Sequence, residues 1–416
     1  MKKISIVLMA LLVSTGAFAQ DAEDNNQEPS KFSLIAKGEI DASFKNYTGN
    51  RFMTEKGVYD ESSVTTRVPG ISFEAEYKIT SKWIVNSEAE YISGAGVQLD
   101  KFSITHAVNP AFNVTAGLLP LPIGHCNSEY GYIDYFHTGD PEGEYALIPC
   151  PMTETGVALS GKFNCGLSYH ASITTGMDAK MFNTMGWTVF APQAFNFSES
   201  NFDSPAYTFR LGYEGLKNFK MSAGVYYCAN TAENMTLKKD YKEFCTNNYN
   251  GQKKVPLTIW YAEAQYMNDY VTLRGTYMQG NMGNSGYLSN YFNNLLQNDT
   301  DEELQYDEGV IGRGVVSVMG EVGLNLKNCF YADTKGPELY PFVHYEHYDS
   351  QAKAADMAGV VRDSRGKVDM WSFGVNWKPI NEVAVKCNYT TRKIGDGDMN
   401  SANELNLAVA YNFQLF

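Results

Sequence analysis

The chain of 416 residues carries 47 acidic against 33 basic side chains, a net charge of −14, with 19% charged and 13% aromatic residues. That balance argues against a nucleic-acid partner, which selects clustered bases. The mean hydropathy of −0.32 fits neither a helical membrane protein nor a disordered chain, and no run of about twenty apolar residues exists to form a helical span.

The first segment, MKKISIVLMALLVSTGAFAQ, has two lysines, an apolar run from Ile4 to Val13 and small residues through Ala17-Phe18-Ala19. This pattern predicts a secretory signal peptide over 1–19, cleaved after Ala19. Its apolar stretch is too short to cross a bilayer core of ~30 Å, and no cysteine stands at the cleavage point to carry a lipid. Residues 20–30 (QDAEDNNQEPS) form a polar leader. Loss of Lys2 and Lys3 with the signal leaves 31 basic against 47 acidic side chains, a net charge near −16. From 31 to 416 no Pro-, Gly- or Ser-rich seam divides the chain, so one domain is expected.

Alternation with a period of two begins at Ser33–Phe44 (SLIAKGEIDASF). In ISFEAEYKI it puts Ile71, Phe73, Ala75, Tyr77 and Ile79 on one face and Ser72, Glu74, Glu76 and Lys78 on the other; a strand sorts those residues, whereas a helix would scatter them. The pattern recurs in Ala206–Glu214, Phe219–Ala229, Thr258–Met267, Tyr270–Met278, Met370–Lys378 and Val383–Lys393, and ends in ELNLAVAYNFQLF, Glu404 to Phe416. Short links near Ser81, Asn109, Asn164, Leu216, Asn268 and Pro379, and one longer link from Lys327, alternate with mostly long connections. The latter fall at about 45–70, 92–96, 120–152, 177–205, 230–254, 279–313, 349–367 and 394–403. Sixteen strands result. The fold class expected over 31–416 is all-β, a transmembrane antiparallel up-and-down β-barrel of the bacterial outer membrane, with tight turns at one end and large loops at the other.

A soluble sandwich would also alternate, but it keeps most connections short. Here aromatics gather near strand ends, at Trp83, Tyr91, Tyr213, Tyr266, Tyr277, Trp371 and Trp377, as interfacial girdles require. Closure demands that the last strand pair with the first, because no backbone group can be left unpaired in hydrocarbon. The terminal aromatic Phe416 is similar to the signature read by the barrel-insertion machinery, although the alternating set runs through Leu415 and leaves Phe416 one position off.

Sixteen strands enclose water rather than packed side chains. Inward positions on this reading include the acids Glu39, Asp41, Glu74, Glu76, Glu88, Glu90, Glu263, Glu321 and Glu346, and the bases Lys37, Lys78, Arg210, Arg274, Lys386 and Arg392. Rings of charge set ion preference, so the acidic excess favours cations or neutral solutes; alternatively, the charges pair across strands and only hydrate the wall. The third long connection holds His125, Glu129, Asp134, Asp140, Glu142 and Glu144 between prolines. Folded inward, it would make an acidic constriction; folded outward, a solvated surface loop.

The segment AGLLPLPIG, this long loop and the return TETGVALSGKF resemble the corresponding region of the phosphate-selective porin O and P-like family, most strongly over about 110–175. The resemblance implies an outer-membrane porin, a homotrimer, and anion preference set by arginines and lysines in pore and loops. In this chain no arginine ladder is evident, and the basic clusters Lys238-Lys239-Asp240-Tyr241-Lys242 and Lys253-Lys254 fall in a predicted external loop.

Seven cysteines leave at least one unpaired within the chain. Cys126 and Cys150 bracket the third loop, and a disulfide there would contribute ~3 kcal/mol if the ends meet. His344 and His347 stand three apart, on opposite strand faces, and so share no metal. Gly395–Glu404 mimics a calcium loop at Asp396, Asp398 and Asn400 but has serine where the glycine belongs and Leu407 at the twelfth position. No G-x-S-x-G elbow or nucleotide fingerprint is present. The expectation is therefore a non-enzymatic channel, without cofactor or metal, passing small hydrophilic solutes or ions by diffusion. Its other partners would be outer-membrane lipid and lipopolysaccharide. The competing expectation is a plugged barrel whose external loops bind or assemble.

Overall fold

The computed structural model describes residues 31–47, 62–92, 96–127, 131–189, 200–297, 309–330, 336–357, 360–395 and 401–416. The expected signal and leader, Glu129 and the Asp396–Asn400 stretch lie outside the described residues.

Sixteen strands form one closed antiparallel barrel. In chain order they are β1 (Phe32–Lys45), β2 (Ser63–Lys78), β3 (Trp83–Ile92), β4 (Gly96–Asn109), β5 (Phe112–Pro120), β6 (Thr153–Lys162), β7 (Leu167–Thr174) and β8 (Ala206–Leu216). The second half comprises β9 (Phe219–Cys228), β10 (Leu257–Met267), β11 (Val271–Met282), β12 (Gly314–Leu324), β13 (Glu338–Lys353), β14 (Lys367–Ile380), β15 (Val383–Ile394) and β16 (Ser401–Gln414). Each pairs with its chain neighbours, and β16 closes on β1 with Gly38 opposite Tyr411 and Asp41 opposite Ala408.

The closing seam follows from the period-two pattern. Leu405, Leu407, Val409 and Phe413 point outward, while Asn406, Ala408 and Ala410 are buried. Gly38 lets the Tyr411 ring lie over the seam: a Cβ there would sit 2.7 Å from its hydroxyl. Past the last strand, the Leu415 amide donates to the Leu34 carbonyl and the Leu34 amide to the Phe416 carbonyl, so pairing continues beyond the alternating set.

Most short connections gather at one end and most long ones at the other, the three-residue β3–β4 link being a short one at the long-loop end. The β8–β9 turn is only Lys217-Asn218, and Asn218 takes the left-handed backbone (φ 62°) that asparagine tolerates in tight hairpins. The longer link at this end begins with the helix Leu326–Phe330. At the other end, the helices Lys238–Tyr249 and Ser285–Gln297 stand in the β9–β10 and β11–β12 connections, with Tyr241 packed edge-on against Tyr291.

Outward positions make a continuous apolar belt that includes Phe73, Phe102, Val157, Phe209, Leu273 and Phe373. Trp83, Tyr91, Tyr277, Trp371 and Trp377 are exposed on the same face. An apolar surface of this extent exceeds what a water-soluble monomer shows.

Candidate functional site: the lumen and its loops

The third loop, 121–152, enters the barrel. Its ends are tied by the Leu121 amide to the Met152 carbonyl at 2.8 Å and by a disulfide between Cys126 and Cys150, Cα atoms 6.1 Å apart. From there the chain crosses to the β12–β16 wall and docks on side chains that the period-two pattern points inward. Lys386, fully buried, donates to Glu39 at 2.9 Å and to the carbonyls of Tyr132 and His137 at 2.6 and 2.9 Å. Glu39 accepts from the Gly139 amide at 3.0 Å. Thr138 donates to Asn388, and Asn376 to the Tyr135 carbonyl.

Further along, Glu346 accepts from the Glu142 and Gly143 amides at 2.9 and 2.5 Å and contacts His344 at 2.7 Å. His344 also meets Glu321, whose other oxygen holds Arg274 at 2.8 Å. Arg392 binds Glu142 and Glu404, both at 2.7 Å. A buried charge left unpaired would be costly; here Lys386, Glu346 and Arg392 bond the loop, and Arg274, Glu321 and His344 pair along the wall.

The inward wall positions consequently divide. Lys37, Glu74, Glu88, Glu90, Arg210, Glu263 and Arg392 line an open cavity of about 2040 Å³. Glu39, Arg274, Glu321, Glu346 and Lys386 point inward but lie beneath the third loop, and Asp41 is buried against Arg67 at 2.7 Å. The expectation that these six line the channel is corrected: they hold the loop or the wall. Glu76 and Lys78, 3.4 Å apart, sit near the short-turn end of β2 and outside the cavity lining.

The acidic constriction is corrected in the same way. Glu142 faces the cavity but is neutralised by Arg392, and Glu144 is buried, accepting from the Cys126 amide at 3.0 Å; burial pushes the Glu144 carboxyl up. His125 is also buried and pairs with Glu263 at 2.8 Å. Asp134 and Asp140 remain in the cavity lining. Burial, then Glu39, raises the Asp140 carboxyl to about 6. His137 stacks on His344 with ring centroids 5.0 Å apart; burial, then His344 and Arg392, pushes it down to about 3, so it is uncharged.

On the open side the bases are paired. Lys37 holds Glu74 and Glu88 at 2.8 and 3.2 Å, Lys101 holds Glu74 at 2.9 Å, and Arg210 holds Glu263 at 3.0 Å. Among the described residues Glu90, Asp100, Asp134 and Asp140 have no ion-pair partner. Glu90 accepts from the Tyr132 hydroxyl, Asp100 from Gln98 and Asp134 from the Gly131 amide.

Arg67 falls in the 45–70 stretch expected to be a connection, whereas β2 already begins at Ser63; Asp100 and Lys101 escape the period-two reading because a bulge breaks parity. The β1–β2 register slips between Glu39 and Asp41, and the β3–β4 register between Glu88 and Ala89. Asp100 is the extra residue of the second bulge, so it and Lys101 both reach the cavity. His344 was found only as half of an excluded metal pair. Its parity with Glu346, two residues on, was the signal that it faces the lumen.

In one sector the inner face is apolar. Inward Tyr226, Ile259, Tyr261, Met278, Val315 and Tyr348 on β9–β13 join a buried apolar cluster with Leu147 and Ile148 of the third loop. Met177, Ala179, Phe182 and Trp187, from the connection after β7, complete it.

No family model matches the chain. It is 23% identical over 332 residues to an uncharacterised protein of Aquifex aeolicus, across 79% of this chain and 69% of that protein. Among solved structures it resembles Salmonella typhi OmpF in complex with daunomycin, with TM-score 0.55 and 12% identity over 92% of this chain and 97% of that one. An anion-selective porin from Comamonas acidovorans gives 0.53 at 10% identity, over 92% and 99%. Pseudomonas putida OprB gives 0.53 at 12%, over 92% and 94%. The class defined is the sixteen-strand porin fold. At these identities the likeness establishes the architecture alone.

Proposed function

We propose that this protein is an outer-membrane porin, exported by a cleaved signal peptide, through which small hydrophilic solutes and ions diffuse passively and without enzymatic chemistry. The observation that carries the reading is the third loop: it is anchored inside a closed barrel and leaves a charged cavity along the opposite wall. Proteoliposome swelling with a size and charge series of sugars and amino acids tests it. Uptake should fall steeply with solute size, and impermeability to the smallest sugar would refute the reading.

Cation preference is the favoured selectivity. Glu90, Asp100, Asp134 and Asp140 lack a basic partner among the described residues, whereas Lys37, Arg67, Lys101, Arg210 and Arg392 each face a carboxylate. Phosphate selectivity, implied by the likeness over 110–175, would need bases free to meet an anion. Reversal potentials in a salt gradient decide the sign. The same likeness implies a homotrimer, which light scattering in detergent would detect.

A second reading, a plugged barrel acting through its outer surface, draws on the packed helices Lys238–Tyr249 and Ser285–Gln297. Removing the latter helix should then abolish partner binding and leave liposome permeability unchanged.

A further inference from the structure

The connection after β7 also turns inward, and a second wall of the channel follows from it. Glu154, buried on β6, accepts from the Thr174 hydroxyl at 2.5 Å, the Gly176 amide at 3.0 Å and the Tyr226 hydroxyl at 2.7 Å. Tyr226 in turn accepts from the Met177 amide at 3.1 Å. These bonds turn the chain into the barrel as it leaves the strand. A tight reversal follows, closed by the Asn183 amide on the Trp187 carbonyl at 3.0 Å.

Trp187 is fully buried, and its indole N–H donates to the Gly312 carbonyl at 3.1 Å. Its ring lies on the β11 backbone at Gly280, where a Cβ would sit 2.2 Å from it. The Trp187 backbone is left-handed, φ 50°, a conformation a bulky residue keeps only where its surroundings fix it. Next to it, Thr188 bonds the Leu147 carbonyl through both its amide, 3.2 Å, and its hydroxyl, 2.9 Å. The reversal therefore braces the third loop from behind. Asn183, Met185, Gly186 and Val189 line the open cavity.

We infer that residues 175–189, wedged by Trp187, fill the β9–β13 side of the lumen with a dry core and so set the width of the channel jointly with the third loop. The inference rests on the channel reading. Sequence gives it a visible correlate: apolar residues occupy both faces of the strands in this sector, as in Val225-Tyr226-Tyr227-Cys228 and Val315-Val316. An inward apolar face on a pore wall is stable only when something covers it.

Two cysteine substitutions, Met278→Cys in the covered sector and Thr115→Cys in the open cavity, test this in the otherwise native chain. A permanently charged methanethiosulfonate is added to folded protein in detergent, and adducts are located by mass spectrometry against the native thiols. Thr115→Cys should react faster by roughly 100-fold, because only an accessible thiolate reacts. Comparable rates would overturn the inference.

In planar bilayers Trp187→Ala, or replacement of 179–188 by a short Gly-Ser linker, should raise unit conductance on the order of twofold as a filled half-lumen becomes water-filled, and admit larger solutes. An unchanged conductance from a folded variant would overturn it as well. The labelling contrast does not depend on conduction, so a silent wild-type protein would remove the channel reading and leave the dry sector to be judged by labelling.

Discussion

The β2–β4 wall and the β10–β13 wall share strand geometry and outer apolar belt but differ inside, save where Glu263 of β10 joins the open cavity. Along β2–β4, inward Glu74, Glu88 and Lys101 keep contact with the open cavity and pair while partly exposed. Along β10–β13, inward Ile259, Met278, Val315 and Tyr348 are covered by two loops, and the charges beside them, Arg274, Glu321, His344 and Glu346, are buried in a network. Alternation determines which way a side chain points. What it meets there depends on the loops. A charge facing water tunes passage, and one facing a loop determines where the loop sits.

The largest test of that difference compares two lysines. Lys386→Met strands Glu39, buried at 0% exposure, and removes two anchors of the third loop; the expected loss is about 3–5 kcal/mol. Lys101 and Glu74 are about a quarter exposed, so Lys101→Met should cost less than ~1 kcal/mol. Urea unfolding in detergent reads both. Adding Glu39→Gln to Lys386→Met should restore part of the loss, and equal costs for the two lysines would erase the distinction between the sectors.

Reducing the Cys126–Cys150 bond, which closes a 24-residue separation, should lower stability by about 3 kcal/mol through the unfolded state. Because the wall contacts hold the third loop independently, unit conductance should persist. Its collapse on reduction would show that the disulfide, rather than the docked wall, fixes the constriction.

Selectivity should respond only on the open side. Asp100→Lys should shift the reversal potential towards anions, whereas Glu321→Gln should destabilise the barrel and leave the ratio of permeabilities as it was. The smallest effect is that of pH. With its carboxyl near 6, Asp140 is neutral at pH 5 and ionised at pH 7.5, so cation preference should grow across that interval. Asp140→Asn should reduce the rise, leaving the part due to the other unpaired cavity acids.

Strands whose two faces differ in polarity could be read from sequence alone. ISFEAEYKI declares β2, and the terminal ELNLAVAYNFQLF declares both β16 and its need for a partner. The β9–β12 strands were legible as strands, but apolar residues on both faces hid the dry core. Asp100 and Lys101 are lost to a bulge that no residue in the local pattern announces, and Arg67 to a strand that starts inside the expected 45–70 connection. Which wall the third loop would choose was also beyond the sequence: Glu142 and Arg392 are 250 residues apart, and only the closed barrel brings them together.

Single-channel recording of the purified protein in a planar bilayer most directly tests whether the space beside the third loop is a path through the membrane. Stepwise, long-lived conductance that scales with salt concentration is the expected result. Folded barrels that insert and stay electrically silent would contradict the account.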